Sequence, residues 1–594
     1  MTEGLLDLRI ASLAEAYRSR RATPAAVAER VHDVARMSAA GNAWIALVDR
    51  EALLARARLL EEAGPAGLPL YGIPFAVKDN VDVAGLPTTA GCPSYAYVPE
   101  RDATVVARLL AAGAMLVGKT NMDQFATGLV GTRSPYGACA SVYDPAHVSG
   151  GSSSGSGVVV ADGTVSFAVG TDTAGSGRVP AAFNGIVGVK PTRGLASTAG
   201  MVPAVRSLDC PSVFASDVDG ARRVLAAMVG WDPADPGSRA APPGRGPAAG
   251  APRRLGVPAL ASLGPLAPAH AEAWAAAVEL AHAVADEVVE VDAGPIVEAG
   301  RLLYDGPWVG ERYAAVGAFV AAGSDDLDPV VRTIVEGGAA WTAADMAEGR
   351  RRLGAIAAQA APLWEACDAL VLPTTPGHPT HAEVAADPLG VNADLGRFTH
   401  AANLLDLSAV AVPAGLRADG LPFGVQLLGP AFADARLLDL AARWEAAAGA
   451  PAGAAVDVAV CGAHLRGLAL HHQLVALGAR FVEETATAPR YRLFALPGGP
   501  PRRPGLVRAA AGAAIAVEVW RMPVASLGRL TAAIPAPLAI GTVELEGGRT
   551  VRGFVCEGHA TAGAEDVTAH GGWRAYLAAE AARPGGRASA KMPA

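Results

Sequence analysis

The sequence predicts an α/β fold with a mixed central sheet flanked by helices, followed by a smaller C-terminal α+β domain. Up to residue 448, short apolar segments of strand length alternate with amphipathic segments of helix length. Beyond residue 455, strand-like segments joined by glycine-rich turns dominate. The chain has 594 residues, of which 51% are hydrophobic, and can therefore bury a large core.

The predicted elements are taken here in chain order. Residues 5–62 carry Leu, Ala and Val at helical spacing, which predicts two or three helices. Further helices are predicted at 103–112, from 158 onward, and at 268–288, 297–322, 343–366 and 436–448. Strands are predicted at 75–77, 115–117, 167–170, 368–373, 403–413 and 421–429, and in the second domain at 456–460, 491–496, 514–522, 541–545 and 549–555.

Composition changes along the chain indicate where the domains end. A small-residue segment with a proline follows the last helix of the first part, which is typical of a linker. We therefore expect a catalytic domain over 1–448, a linker over 449–455, a second domain over 456–582 and a disordered tail over 583–594. The Pro-, Gly- and Ala-rich segment 237–253 predicts a surface loop.

Charge and cysteine usage exclude several classes of function. The chain has 49 basic and 57 acidic residues, a net charge of −8, without the basic patch that nucleic-acid binding needs. No uninterrupted apolar run reaches the length of a membrane span, and no signal peptide opens the sequence. The six cysteines stand singly, without metal-ligand spacing. We therefore expect a cytoplasmic protein without a metal site.

A lysine and two serine-glycine clusters carry the chemistry that the sequence predicts. Lysine is rare in this chain, yet Lys78 follows the predicted strand 75–77. The clusters lie at 150–156 and 170–178. A serine hydroxyl attacks a carbonyl poorly unless a neighbouring base takes its proton. Lysine can act as that base only when neutral, and burial lowers its pKa. The pattern predicts a serine nucleophile with a lysine base.

In order and spacing, these three elements resemble the amidase signature family. The resemblance implies that Ser176 is the nucleophile, that Ser152 is a bridging serine preceded by a cis peptide bond, and that Lys78 is the base. Small residues before the nucleophile can turn their N–H groups toward one point, which predicts an oxyanion hole. Its residues would be Thr173, Ala174 and Gly175. We expect Asp172 and Arg178 to pair behind the site, whereas His147 is a weak alternative base.

Three segments narrow the resemblance to allophanate hydrolases: 123–133, 171–180 and 304–313. It implies that Tyr304 and Arg312, eight positions apart, bind the carboxylate of allophanate, and that Gln124 and Gly128 also contact the substrate. An arginine fork grips a carboxylate through two charge-assisted hydrogen bonds. Alternatively, Arg312 is a structural residue whose partner is an acidic residue at 305 or 311.

The resemblance continues beyond the linker, at 460–465, 491–493, 541–543 and 571–577. In allophanate hydrolases the first domain releases ammonia and N-carboxycarbamate, and the second assists decarboxylation. The resemblance makes His464 a candidate for that step, because imidazole titrates near neutrality. It could instead cap a turn. The family further implies a homodimer, no cofactor, and transient association with a biotin-dependent urea carboxylase.

Two other functions stay open from the sequence. One is a related amidase that acts on a dicarboxylic monoamide or serves as an amidotransferase subunit. The other is a non-catalytic scaffold for a carboxylase, which an intact set of Lys78, Ser152 and Ser176 argues against.

Overall fold

The computed structural model describes residues 7–38, 42–242, 253–448, 455–477 and 479–581. The chain divides into two compact units, with the boundary between residues 451 and 452. The predicted linker, apart from residue 455, and the predicted tail lie outside the described residues, as does most of the predicted loop 237–253. Among the described residues, no helix combines the length and apolar character that crossing a bilayer requires.

An eleven-stranded mixed sheet forms the centre of the N-terminal unit within the described residues. Its strands are β1 (Trp44–Leu47), β2 (Pro74–Lys78), β3 (Met115–Thr120), β4 (Phe167–Asp172), β5 (Val187–Lys190), β6 (Cys210–Ala215), β7 (Arg254–Pro258), β8 (Glu287–Val291), β9 (Ala369–Pro373), β10 (Ser408–Leu416) and β11 (Pro422–Gly429). Their order is β1-β3-β2-β4-β6-β5-β10-β11-β9-β7-β8.

Helices cover this sheet. They are α1 (Ile10–Arg18), α2 (Pro24–Ser38), α3 (Arg50–Ala63), α4 (Thr104–Ala111), α5 (Ser154–Ala161), α6 (Val179–Phe183), α7 (Val218–Met228), α8 (Pro268–Val284), α9 (Gly294–Arg301), α10 (Val309–Ala322), α11 (Pro329–Gly337), α12 (Ala343–Ala366), α13 (His381–Ala386), α14 (Gly390–Leu395), α15 (Ala401–Leu404) and α16 (Asp434–Ala448).

The central strands are buried along their whole length, which is why they read as continuous apolar runs. β2 pairs in parallel with β3 on one side and with β4 on the other. The rings of Phe75 and Phe167 stack between these strands, with centroids 5.1 Å apart. The C-terminal ends of β2 and β4 therefore lie side by side, and Lys78 and Asp172 are their last residues.

The described residues of the C-terminal unit form two smaller sheets. Its strands are β12 (Ala455–Val460), β13 (Arg480–Ala486), β14 (Tyr491–Ala495), β15 (Pro504–Arg508), β16 (Ala516–Pro523), β17 (Leu538–Glu544), β18 (Thr550–Cys556) and β19 (Glu565–Asp566), and its helices are α17 (His471–Ala476), α18 (Val524–Ala532) and α19 (Trp573–Ala581). The sheet orders are β13-β16-β12-β18-β17 and β15-β14-β19. The predicted fold class of both units is confirmed.

Several predicted elements differ in their limits. The helix predicted over 297–322 is divided into α9 and α10, because the Gly306–Pro307 step between them cannot continue a helix readily. The predicted strand 403–413 starts only at Ser408, and its first residues belong to α15. The four-residue strand β1 was not predicted, because it is short and is defined by its antiparallel pairing with β3.

We expect the fold of the N-terminal unit to depend strongly on Trp444 of α16, whose side chain is fully buried. Trp444→Ala should lower the free energy of unfolding by about 3–5 kcal/mol, because it leaves a cavity in a packed core. Urea denaturation followed by far-UV circular dichroism measures the loss. Trp231, which is 61% exposed, provides the matched control, and Trp231→Ala should change little. Equal effects of the two substitutions would contradict this account.

Candidate active site

Lys78 is fully buried at the end of β2, where the sequence places it after an apolar strand. Its Nζ donates to the Ser152 Oγ at 2.8 Å and to the Thr171 Oγ1 at 2.7 Å. Thr171 belongs to the adjacent strand β4 and was not among the predicted site residues. No side-chain signal in the sequence singles it out, since its role follows from the pairing of β2 with β4.

Ser152 connects the lysine to the predicted nucleophile. Its Oγ donates to the Ser176 Oγ at 3.0 Å, so that Lys78, Ser152 and Ser176 form one hydrogen-bonded chain. The Gly151–Ser152 peptide bond is cis, as the resemblance implied. A Cβ on Gly151 would lie 2.1 Å from the Asp123 Oδ2, so only glycine fits at this position. Ser152 and Ser176 are both buried.

Burial lowers the pKa of Lys78 to about 7, because a charged ammonium loses its hydration there. Three buried carboxylates act in the opposite direction and raise this pKa: Asp123, Asp209 and Asp172. The Arg312 guanidinium lowers it further. The side chains that bond directly to the amine are hydroxyls, so a neutral lysine is available near neutral pH.

A buried ion pair supports the loop that carries Ser176, the predicted nucleophile. Arg178 donates to both oxygens of Asp172, from Nε at 2.9 Å and from Nη2 at 3.0 Å, which confirms the predicted pair. Burial opposes ionisation of Asp172, but the Arg178 guanidinium outweighs it and holds the pKa of this carboxyl below its usual range. The same carboxylate accepts from the N–H groups of Gly175 at 2.8 Å and Gly177 at 3.1 Å.

These contacts affect which backbone N–H groups are available for the predicted oxyanion hole. Because the Gly175 N–H donates to Asp172, it is not free to bind an oxyanion, and this part of the prediction does not fit the structure. The N–H groups of Thr173, Ala174 and Ser176 have no acceptor among the described residues. Ser176 was not predicted as a donor, although an N–H belonging to the nucleophile itself is a common one.

Arg312 lies on α10 and is 1% exposed. Its Nη1 donates to the Phe125 carbonyl oxygen at 3.1 Å and to the Thr127 Oγ1 at 2.6 Å. Within the described part of the chain it has no carboxylate partner. Glu311, one of the two partners suggested for a structural role, instead accepts from the N–H and Oγ of Ser207. A buried guanidinium without a counter-ion indicates a site for an anionic ligand.

Tyr304 lies just before α10 and is half-buried. Its ring centroid is 6.0 Å from the Arg312 Cζ, so the two predicted carboxylate-binding residues are neighbours. The Tyr304 ring also lies near the ring of His400, with centroids 5.2 Å apart.

The structure places Gln124 and Gly128 in contact with other parts of the protein. The side-chain amide of Gln124 forms two hydrogen bonds with the loop between α10 and α11. Its Nε2 donates to the Asp326 carbonyl oxygen at 2.5 Å, and its Oε1 accepts from the Asp328 N–H at 2.8 Å. The amide is therefore already engaged, and the structure does not support a substrate contact. A Cβ on Gly128 would lie 2.7 Å from Asp123. Its predicted contact with substrate stays a prediction.

In the C-terminal unit, His464 borders a cavity of about 100 Å³. The His464 Nε2 is 3.0 Å from the Gln473 Oε1, and its ring stacks on Phe554 with centroids 4.8 Å apart. The described residues contain no group of three His, Cys, Asp or Glu side chains placed to hold a metal ion.

Two family models match most of the chain. The Amidase family model matches residues 25–438, and the model of the allophanate hydrolase C-terminal domain matches residues 456–578. The urea amidolyase of Saccharomyces cerevisiae is 42% identical over 588 residues, which is 92% of this chain and 32% of that protein. The chain thus spans about a third of the length of this relative.

Two further relatives are matched over most of their own length. One component of the glutamyl-tRNA(Gln) amidotransferase of Symbiobacterium thermophilum is 38% identical over 69% of this chain and 90% of that protein. The structure of the allophanate hydrolase of Kluyveromyces lactis matches with a TM-score of 0.71 and 39% identity, over 96% of this chain and 99% of that one. The chain therefore belongs to the amidase family, and its second unit is an allophanate hydrolase C-terminal domain.

Proposed function

We propose that this amidohydrolase converts allophanate (urea-1-carboxylate) and water into ammonia and CO₂ during urea degradation. The observation that carries the proposal is the series of hydrogen bonds from Lys78 to Ser176, in a site that also contains a buried Arg312 without a carboxylate partner among the described residues. The first feature suits amide hydrolysis, and the second suits a substrate that carries a carboxylate next to the amide.

In the proposed first step, the neutral Lys78 amine takes a proton from Ser152, and Ser152 takes one from Ser176. Rotation of the two hydroxyls allows this transfer along the observed chain. The Ser176 Oγ then attacks the carbamoyl carbon of allophanate. The developing oxyanion would be stabilised by the N–H groups of Thr173, Ala174 and Ser176. As the C–N bond breaks, the proton returns to the leaving nitrogen, and ammonia departs.

The resulting acyl-enzyme carries the carboxylated carbamoyl group on Ser176. A water molecule attacks its carbonyl carbon while the neutral Lys78 amine takes a proton from that water through Ser152. The bond between this carbon and the Ser176 Oγ then breaks, the proton passes back to the Ser176 Oγ, and N-carboxycarbamate is released. Throughout, Arg312 would hold the carboxylate, with Tyr304 adding a neutral hydrogen bond. A neutral amide would leave the guanidinium buried without an anion to pair with, and this penalty selects for the anionic substrate.

The second unit would assist decarboxylation of N-carboxycarbamate, with His464 as the proton donor. Its position at a cavity, rather than at the open surface, supports this role. We further propose a homodimer in the cytoplasm whose substrate comes from a biotin-dependent urea carboxylase by transient association. The six free, buried cysteines are compatible with a reducing compartment.

Ser176→Ala should lower the rate of ammonia release from allophanate by about 10⁶-fold, because it removes the hydroxyl that is proposed to attack the substrate. Ammonia is measured with a coupled enzyme assay. Ser134→Ala, which removes a half-buried serine from a neighbouring loop, serves as the control and should keep most of the activity. Undiminished ammonia release by the Ser176 variant would exclude the mechanism. Malonamate hydrolysis at the rate of allophanate hydrolysis would favour a dicarboxylic monoamidase.

The kcat/KM for allophanate should fall about tenfold per pH unit below pH 7, because the protonated Lys78 cannot accept a proton. Asp123→Asn removes a negative charge that raises the Lys78 pKa, so this acid limb should move to lower pH. Asp219→Asn, at an exposed ion pair with Arg223, should leave the profile unchanged. A limb that stays in place, or moves to higher pH, in the Asp123 variant would contradict the assignment.

Arg312→Gln should reduce kcat/KM for allophanate by about 10- to 100-fold, the usual effect of losing a hydrogen bond to a charged group. Biuret replaces the carboxylate by a neutral amide, so the preference for allophanate over biuret should shrink by the same factor. The exposed Arg301 on α9 supplies the control Arg301→Gln, for which both rates should persist. An unchanged preference in the Arg312 variant would exclude the carboxylate contact.

A further inference from the structure

The cavity of the C-terminal unit combines apolar walls with three polar side chains. Leu530, Ile534 and Phe554 are among the apolar residues that line it. The polar side chains at the same cavity are His464, Gln473 and Arg503. A volume of about 100 Å³ suits a small molecule rather than a peptide. The cavity therefore offers one hydrogen-bonding imidazole and one cation in otherwise apolar surroundings.

The side chain of Arg503 differs from that of its neighbour Arg502 in its hydrogen bonds among the described residues. Within the part of the chain that the structure describes, its guanidinium has neither a carboxylate nor any other acceptor, although the residue is half-buried. The adjacent Arg502 instead bonds Glu580 and the Tyr576 hydroxyl. The backbone of Arg503 is fixed, because its carbonyl oxygen accepts from the Leu496 N–H at 3.1 Å and β15 begins at the next residue.

We propose that Arg503 binds one carboxylate of a small dianion in this cavity and thereby determines which ligand His464 protonates. This inference rests on the proposed function, in which the first unit produces N-carboxycarbamate, a nitrogen flanked by two carboxylates. A guanidinium fork matches a carboxylate with two parallel hydrogen bonds. Gln473, which bonds the His464 Nε2, would orient the imidazole.

The two carboxylates of N-carboxycarbamate would have different surroundings in the cavity. Arg503 holds one in ionised form, while the other lies among apolar side chains, where a charge is unfavourable. Loss of this second group as CO₂ removes the charge. The bond between nitrogen and the carboxylate carbon breaks, its electron pair stays on nitrogen, and the His464 imidazolium supplies a proton there. The products are CO₂ and carbamate, which takes up one more proton from water and yields ammonia and a second CO₂.

The kinetic test compares three full-length variants supplied with allophanate: Arg503→Gln, Arg502→Gln and His464→Ala. Ammonia from the first step and CO₂ are followed together. We expect Arg503→Gln to delay CO₂ at least tenfold relative to the first ammonia, as His464→Ala does, whereas Arg502→Gln behaves like the unmodified protein. Arg503→Lys, which keeps the charge without the fork, should recover part of the rate and would show that the site still folds.

The outcomes separate the two proposals. A delay in the His464 variant without one in the Arg503 variant overturns the role of Arg503 and leaves the proposed function in place. No delay in either variant overturns both the role of Arg503 and the proposed decarboxylation. Lack of ammonia release by the unmodified protein would refute the proposed function itself, so Arg503 also needs a measurement that does not depend on turnover.

Malonate provides that measurement, because it replaces the nitrogen by a methylene group and does not decarboxylate in the cavity. Calorimetric titration is carried out in the Arg312→Gln background, which weakens the carboxylate site of the first unit. Adding Arg503→Gln should weaken malonate binding at least tenfold, and adding Arg502→Gln should not. Equal affinities in the two double variants, or no malonate binding in the Arg312→Gln protein alone, would overturn the proposal.

Discussion

The lysine amine that is buried among hydroxyl groups at the end of β2 is the constraint on which the rest of the site depends. Lys78 donates to Ser152 and Thr171 and has no carboxylate at ion-pair distance among the described residues. Lys119, on the neighbouring strand, is equally buried but has Asp79 at 3.3 Å. A counter-ion in direct contact with Lys78 would favour the ammonium, which cannot act as a base.

A second requirement is a fixed conformation of the loop around Ser176, and the Asp172 carboxylate makes several of the hydrogen bonds that stabilise this loop. Asp172 binds Arg178 and the N–H groups on both sides of Ser176. Arg178 then extends the network to the Gln426 Oε1 on β11 at 2.7 Å and to the Thr399 carbonyl oxygen at 2.9 Å. These partners come from distant parts of the chain, so the loop geometry depends on the assembled sheet rather than on local sequence.

The two units present a similar electrostatic feature. Each contains an arginine without a carboxylate partner among the described residues, Arg312 in the first and Arg503 in the second. Desolvating a guanidinium is unfavourable unless an anion pairs with it. A carboxylated substrate and its dicarboxylated product would satisfy both arginines in turn, which gives the two units a common chemical reason to occur on one chain.

The fold class, and the side chains that lie together at the end of β2, could be predicted from the sequence. Apolar runs predicted β2, β4 and β9, and the helix over 343–366 matches α12 at both ends. The resemblance to the amidase signature family, in the order and spacing of Lys78, Ser152 and Ser176, predicted that these three side chains are connected by hydrogen bonds, as they are in the structure. Helix limits around Pro307 and the short strand β1 were missed, because they depend on packing and on pairing partners.

The details of the site were decided by tertiary structure. A backbone N–H has no sequence signature. The bond from the Gly175 N–H to Asp172, and the lack of an acceptor for the Ser176 N–H among the described residues, therefore could not be foreseen. The hydrogen bonds of the Gln124 side chain could not be foreseen either, because its partners, Asp326 and Asp328, lie some two hundred positions away. The sequence by itself determined which reactive groups the chain carries. Only the folded structure decided which of them are buried, which are paired, and which are left for a ligand, because burial and pairing depend on contacts between distant residues.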